Sequence, residues 1–195
     1  MSGYCTVAPG HPLHGPYHDR EYGFPIRSDD RLFERLVLEI NQAGLSWATI
    51  LAKRAAFRRA YAEFRVERVA AFGAADRRRL LADAGIIRNR LKVDAAIHNA
   101  RCIQEIQRSN GSFRRWLDLH HPRPLEEWVR LFRSTFRFTG GEIVNEFLMS
   151  TGYLPGAHAP GCPVHARILS RRPPWVRAVE AARGGGGAGR TRRRP

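Results

Sequence analysis

The stretch F-R-F-T-G-G-E-I-V-N-E-F-L, residues 136–148, decides how this chain is read. Ile143, Val144, Phe147 and Leu148 recur at three- and four-residue steps, the apolar stripe of an α-helix. Gly140 and Gly141 stand where that helix would begin. With Thr139 they put bare main-chain N–H groups at a helix N-terminus, and such a terminus binds a phosphate without reading sequence. A glycine turn between two core helices accounts for the same residues.

The helical period continues in both directions. Ser28-Asp29-Asp30 supplies N-cap residues for a helix with Leu32, Phe33, Leu36, Val37 and Ile40 on its apolar face. Gly44 interrupts it, and Ser46 can cap a second helix over 47–54. Further helical patterns follow near 55–63, 66–72 and 76–83. The longest covers about 89–108, with Val93, Ala96, Ile97, Ala100, Ile103 and Ile106 in register, and Ser109-Asn110-Gly111 ends it. Weaker ones fall near 112–118 and 125–133. No strand alternation and no fixed-period repeat occurs, so the class is all-α. The first 27 residues, rich in Gly, Pro, His and Tyr, read as loop with short turns. Residues 171–195 contain Pro173-Pro174, four consecutive glycines and R-T-R-R-R-P. They read as a low-complexity disordered tail, with room for a short helix around Trp175–Ala182. One domain over 1–170 is expected.

Charge narrows the partners. The 195 residues hold 33 Lys+Arg against 18 Asp+Glu, a net of +15. The tail contributes eight Arg and one Glu, which leaves +8 on residues 1–170. Such a field favours a polyanion, most simply nucleic acid, although solubility alone also favours charge. Only two cations are lysines, Lys53 and Lys92, so amine chemistry has few candidates. No apolar run long enough for a membrane span and no signal peptide is present, which leads to an expectation of a non-membrane, cytoplasmic protein. Three cysteines do not suggest a disulfide framework.

Cys5 and His18 near the start, and the H-x-x-x-C of His158 and Cys162 near the end, have the residue types of a tetrahedral metal site. Two buried cysteines and two surface histidines fit the spacing as well. If the four do join, they clip the two ends of the domain together.

Three further blocks, Y-H-D-R-E-Y-G (17–23), L-E-I-N-Q-A-G-L-S-W (38–47) and A-G-I-I-R-N-R-L-K (84–92), stand in order along the chain. Together they resemble the DNA-3-methyladenine glycosylase I family, over roughly residues 1–168. The 136–148 stretch is similar to the hairpin and second helix of the helix-hairpin-helix DNA glycosylases. The resemblance implies that fold, with a structural zinc ion, one per chain, on Cys5, His18, His158 and Cys162. It implies a monofunctional enzyme that hydrolyses the N-glycosidic bond of 3-methyladenine in alkylated double-stranded DNA. A bacterial monomer acting on the nucleoid is the corresponding setting.

Residue roles follow from the same resemblance. Glu39 recognises the cationic base as the catalytic carboxylate, and Tyr17 and Trp47 sandwich it. Tyr22 and His14 line the pocket, where the family usually carries Trp and Tyr. Val7 also replaces an aromatic residue. Gln42, Gly44 and Leu45 form the turn that enters the DNA, with Leu45 as an apolar wedge. Thr139, Gly140 and Gly141 bind backbone phosphate. Strand-cutting relatives carry a Lys where Glu142 stands, so no Schiff base is expected. Residues 155–164 hold no carboxylate, so the Asp common in the superfamily is missing too. Arg88, Arg90 and Lys92 are as well suited to phosphate as to a solvated face. Two other readings fit the composition: a non-catalytic module that senses alkylated or distorted DNA, and a zinc-binding interaction protein.

Overall fold

Two serine caps start the helices that carry most of the site. The Ser28 hydroxyl accepts from Arg31 N, and the Ser46 hydroxyl from Thr49 N, the arrangement an N-cap needs. In the computed structural model, which describes residues 3–185, these open α3 (Asp29–Gln42) and α4 (Trp47–Ala60). Before them lie α1 (Tyr4–Val7) and α2 (His14–Arg20). After them come α5 (Val66–Ala70), α6 (Ala74–Ala82), α7 (Arg90–Asn110), α8 (Phe113–His120), α9 (Leu125–Thr135) and α10 (Gly141–Ser150). The chain ends with α11 (Pro163–Ser170) and α12 (Pro174–Gly185). No strand occurs among the described residues, as the periodicity predicts.

α3 is the central strut. Leu32, Phe33, Leu36, Val37 and Ile40 are all fully buried, and α3 packs against α4, α7, α8 and α10. Gly111, with φ 86°, closes α7 where the Ser-Asn-Gly signal predicts. The patterns at 47–54 and 55–63 are one helix, because nothing breaks α4 before Ala60. A left-handed turn at Ala62–Phe64 follows it, held by the Tyr61 ring stacked on Phe64 at 5.6 Å.

Three expectations are corrected. The first 27 residues are not all loop, since α1 and α2 lie within them. α11 follows α10 with Pro163 in its first turn, although its apolar pattern is short. The disorder expected from residue 171 does not cover 171–185: α12 occupies the place allowed for a short helix, and Trp175 N donates to Gly152 O at 3.3 Å. Residues 186–195 lie outside the described part. No helix among the described residues is long and apolar enough to cross a membrane.

Candidate active site and metal centre

Both ends of the domain meet at four side chains. Cys162 Sγ lies 3.5 Å from His158 Nδ1 and 3.7 Å from His18 Nε2, and Cys5 Sγ lies 3.6 Å from His158 Nδ1. All four ligand atoms fall within 4.8 Å of one another. Around one tetrahedral ion with metal–ligand bonds of about 2.0–2.3 Å, sulfur and nitrogen would sit roughly 3.5 Å apart. The donor set therefore fits a metal ion. Each imidazole is also held from behind. His18 Nδ1 is 2.7 Å from Asp19 Oδ1, and His158 Nε2 is 3.0 Å from Tyr22 O. Such partners fix which ring nitrogen would face a metal. The glycine in Y-H-D-R-E-Y-G has a steric reason: Gly23 has φ +80°, and a Cβ there would stand 2.8 Å from Ala157 Cβ.

α1 and α2 lie over the C-terminal half of α3, where a cavity of about 390 Å³ opens. Tyr17, Tyr22, Glu39 and Trp47 line it, together with Tyr4, Gln42, Glu146 and Met149. Glu39 is 4% exposed. Burial pushes its carboxyl up to about 8; Arg35 opposes the shift, Glu146 adds to it, and the Ser150 hydroxyl opposes it. A carboxyl buried in this way ionises readily only where a positive charge offsets its lost hydration.

The aromatic walls are braced rather than free. The Arg35 guanidinium donates to the Tyr17 hydroxyl at 2.5 Å and lies 4.6 Å from the centre of its ring. Arg35 also bonds Glu21 at 3.3 Å, and Glu21 is shared with Arg54. Tyr17 and Trp47 do not face each other as parallel plates. Their centroids are 5.1 Å apart at 58°, whereas a base between two parallel rings needs about 7 Å. They form adjoining walls, and the sandwich geometry is corrected accordingly. His14 is placed behind the wall: its Nδ1 is 3.2 Å from the Tyr4 hydroxyl, and Tyr4, not His14, lines the cavity.

A second hollow of about 340 Å³ adjoins the first, sharing Glu39, Gln42 and Glu146 with it. Its rim is the turn Ala43, Gly44 and Leu45, with Gly44 at φ +79° and Leu45 41% exposed. Gly140 and Gly141 start α10, and a Cβ on either would meet nothing within 4 Å. No internal contact requires glycine there. Thr139 is buried, its hydroxyl donating to Phe136 O at 3.3 Å.

Sequence reading missed Glu146 and Tyr4 and misplaced Lys92. Glu146 looks like a solvent-side charge on α10, yet its carboxylate accepts from the Tyr22 hydroxyl at 3.2 Å, and burial raises its pKa. Lys92 is 5% exposed and caps main-chain carbonyls, so it does not join the exposed Arg88 and Arg90. Tyr4 could have been found, since it precedes Cys5, a candidate metal ligand.

A sequence profile described as methyladenine glycosylase matches residues 7–130. The chain belongs to the methyladenine glycosylase family. It is 34% identical to DNA-3-methyladenine glycosylase 1 of Escherichia coli K12, across 81% of this chain and 94% of that protein. The fold of a crystal structure of 3-methyladenine DNA glycosylase I matches with TM-score 0.75 at 31% identity, covering 82% of this chain and 97% of that one. A Staphylococcus aureus 3-methyladenine DNA glycosylase I, solved for its recognition of 3-methyladenine, matches with TM-score 0.74 at 30% identity, covering 83% and 96%. The resemblance read from the three motifs is borne out by this family membership.

Proposed function

We propose that this protein is a monofunctional DNA glycosylase that hydrolyses the N-glycosidic bond of 3-methyladenine in alkylated double-stranded DNA. The observation that carries the reading is Glu39, a buried carboxyl in an aromatic cavity beside an exposed turn. Alkylation at N3 gives the deoxynucleoside a positive charge and weakens the bond from the sugar to the base. That bond breaks with its electron pair going to the base, which leaves neutral. Water adds to the sugar carbon and gives up a proton, leaving an abasic site. Little acid catalysis is needed, so the missing superfamily Asp is no obstacle.

The protein's part is to extract the base and hold it. Flipping costs a few kcal/mol, least for a base that pairs poorly. Glu39 draws the cationic base, and the rings of Tyr17 and Trp47 offer it π faces. Tyr22 and Glu146 complete the cavity wall. Leu45 at the exposed turn fills the space the base leaves, with Gln42 and Gly44 beside it. Gly140 and Gly141 let a phosphate approach the start of α10.

Zinc is the proposed metal, one per chain, on Cys5, His18, His158 and Cys162. Its role is structural, because four protein ligands leave no position for water. The setting is the bacterial cytoplasm, with a monomer acting on the chromosome.

The test is chromatography of bases released from methylated duplex DNA. Release of 3-methyladenine is expected. DNA binding without any base release would replace the enzyme by a non-catalytic sensor of damage. Absence of salt-dependent DNA binding would leave only a metal-binding interaction protein.

A further inference from the structure

At the opposite end of α3 from Glu39 lies a larger cavity, about 670 Å³, that base excision does not use. Eight arginines line it, and no carboxylate does among the described residues. They converge from separate elements. Arg27 and Arg31 flank the start of α3, Arg114 stands in the first turn of α8, and Arg177 in the first turn of α12. Three helix N-termini, each a source of partial positive charge, thus border the cavity as well.

The positive charge is only partly balanced. Arg31 reaches Glu21 at 3.8 Å, Arg114 reaches Asp118 at 3.5 Å, Arg177 reaches the same Asp118 at 4.0 Å, and Arg172 reaches Glu180 at 2.6 Å. Arg20, Arg27 and Arg171 make no ion pair with any described residue. Like charges around one concavity focus a positive potential in it. Guanidinium forks match phosphate oxygens two at a time, which an ammonium does not. Phe24, Ile26 and Tyr153 supply apolar wall between the forks.

Position separates this cavity from the DNA face. Glu39 and Gln42 share a hollow with Glu142 and Glu146, at the C-terminal end of α3 and the N-terminal part of α10. Ser28 and Arg31 share the arginine cavity with Thr151 and Tyr153, at the other ends of both helices. A helix of 14 residues, such as α3, spans about 21 Å. A duplex seated on Leu45 and Gly140 therefore leaves this cavity open.

We propose that the arginine cavity is a second anion site, which takes a ligand carrying several phosphate groups in tandem. One phosphate would satisfy only one or two forks, and the volume is that of a small-molecule pocket. Either a free polyphosphate or the backbone of a second nucleic-acid segment presents this chemistry.

The probe is inorganic tripolyphosphate, titrated calorimetrically into the full chain at fixed ionic strength. One tripolyphosphate per chain is expected. The double variant Arg27→Ala/Arg171→Ala, which breaks no ion pair, should weaken it about tenfold or more, the scale of one lost charge-assisted bond. Arg68→Ala/Arg78→Ala, which removes the same charge from exposed residues elsewhere, should not. Release of 3-methyladenine should be the same in all three proteins, so this test stands apart from the glycosylase reading. A second arm adds a labelled unmodified duplex to protein already holding methylated duplex. Bridging that is lost in Arg27→Ala/Arg171→Ala identifies a nucleic-acid backbone as the source. Tripolyphosphate binding without bridging identifies a free polyphosphate. Equal weakening by both double variants, or neither ligand binding, would overturn the proposal.

Discussion

The ammonium of Lys92 holds the main-chain oxygens of Asn41 at 2.9 Å and of Ala43 at 2.6 Å. These carbonyls belong to the end of α3, where the helix leaves its last acceptors unpaired. A lysine from α7 thus fixes the turn that carries Gly44 and Leu45. Burial lowers its pKa, yet two carbonyl partners suit the charged form. Lys92→Met removes the donor and leaves buried acceptors unsatisfied. A loss of about 1–3 kcal/mol in stability is expected, with a larger relative loss of excision than of undamaged-duplex binding. Denaturant melts and single-turnover excision read the two. Excision unchanged despite the melt would detach the turn from the reaction.

The same geometry bears on covalent chemistry. Lys53 Nζ donates to Ala84 O at 3.0 Å and Gly85 O at 3.3 Å, so both lysines of the chain serve main-chain carbonyls. Neither lines the Glu39 cavity. Borohydride trapping on methylated or abasic DNA should yield no adduct. A trapped species mapped to Lys53 or Lys92 would overturn the monofunctional assignment.

The proposed metal clip predicts a stability effect. Protein purified without chelator should carry one zinc per chain. Cys162→Ser should lose it and melt earlier, because the energy of metal binding is part of the energy of folding. His165→Ala, nearby but outside the ligand set, should retain it. A metal-free protein with unchanged melting and excision would remove the clip from the account.

Legibility followed the range of the forces involved. α3 could be read because a local cap and a five-residue apolar stripe agree within one segment. The Cys/His quartet could be read because few residue types ligate metals. α1 and α2 could not, being four and seven residues long and held by contacts with distant chain. Glu146 and Lys92 were hidden for a related reason. A charged side chain on an amphipathic helix looks solvent-facing until its partner, here Tyr22 or the α3 carbonyls, is known. The placement of His14 behind Tyr4 and the tilt between Tyr17 and Trp47 likewise depend on side-chain packing across elements.

The pH dependence of Glu39 joins the site to stability. Its neighbours on α3 and α10 are Arg35, Glu146 and Ser150, and the phenols of Tyr4, Tyr17 and Tyr22 also face its charge. Its carboxyl titrates near 8 in the fold against 4.5 in the open chain. Between those values the native state holds a proton that the unfolded state has lost. Native stability is therefore greatest below the lower value and falls as pH rises toward the higher one, by up to about 1.4 kcal/mol per unit. Glu39→Gln cannot ionise, so it should melt above the wild type at pH 8, and the gap should close toward pH 5. Excision should move the opposite way. The cationic base needs the carboxylate, so wild-type kcat/KM should fall as pH drops below about 8, the free-protein value. Glu39→Gln should lose this dependence and about ten- to a hundredfold in rate, as for one charge-assisted bond. Glu146→Gln removes a charge that raises the Glu39 pKa, so its pH limb should shift to lower pH. Undamaged duplex, held through its phosphates, should bind all three proteins alike. A Glu39→Gln enzyme with wild-type rate and pH profile would place base recognition elsewhere in the cavity.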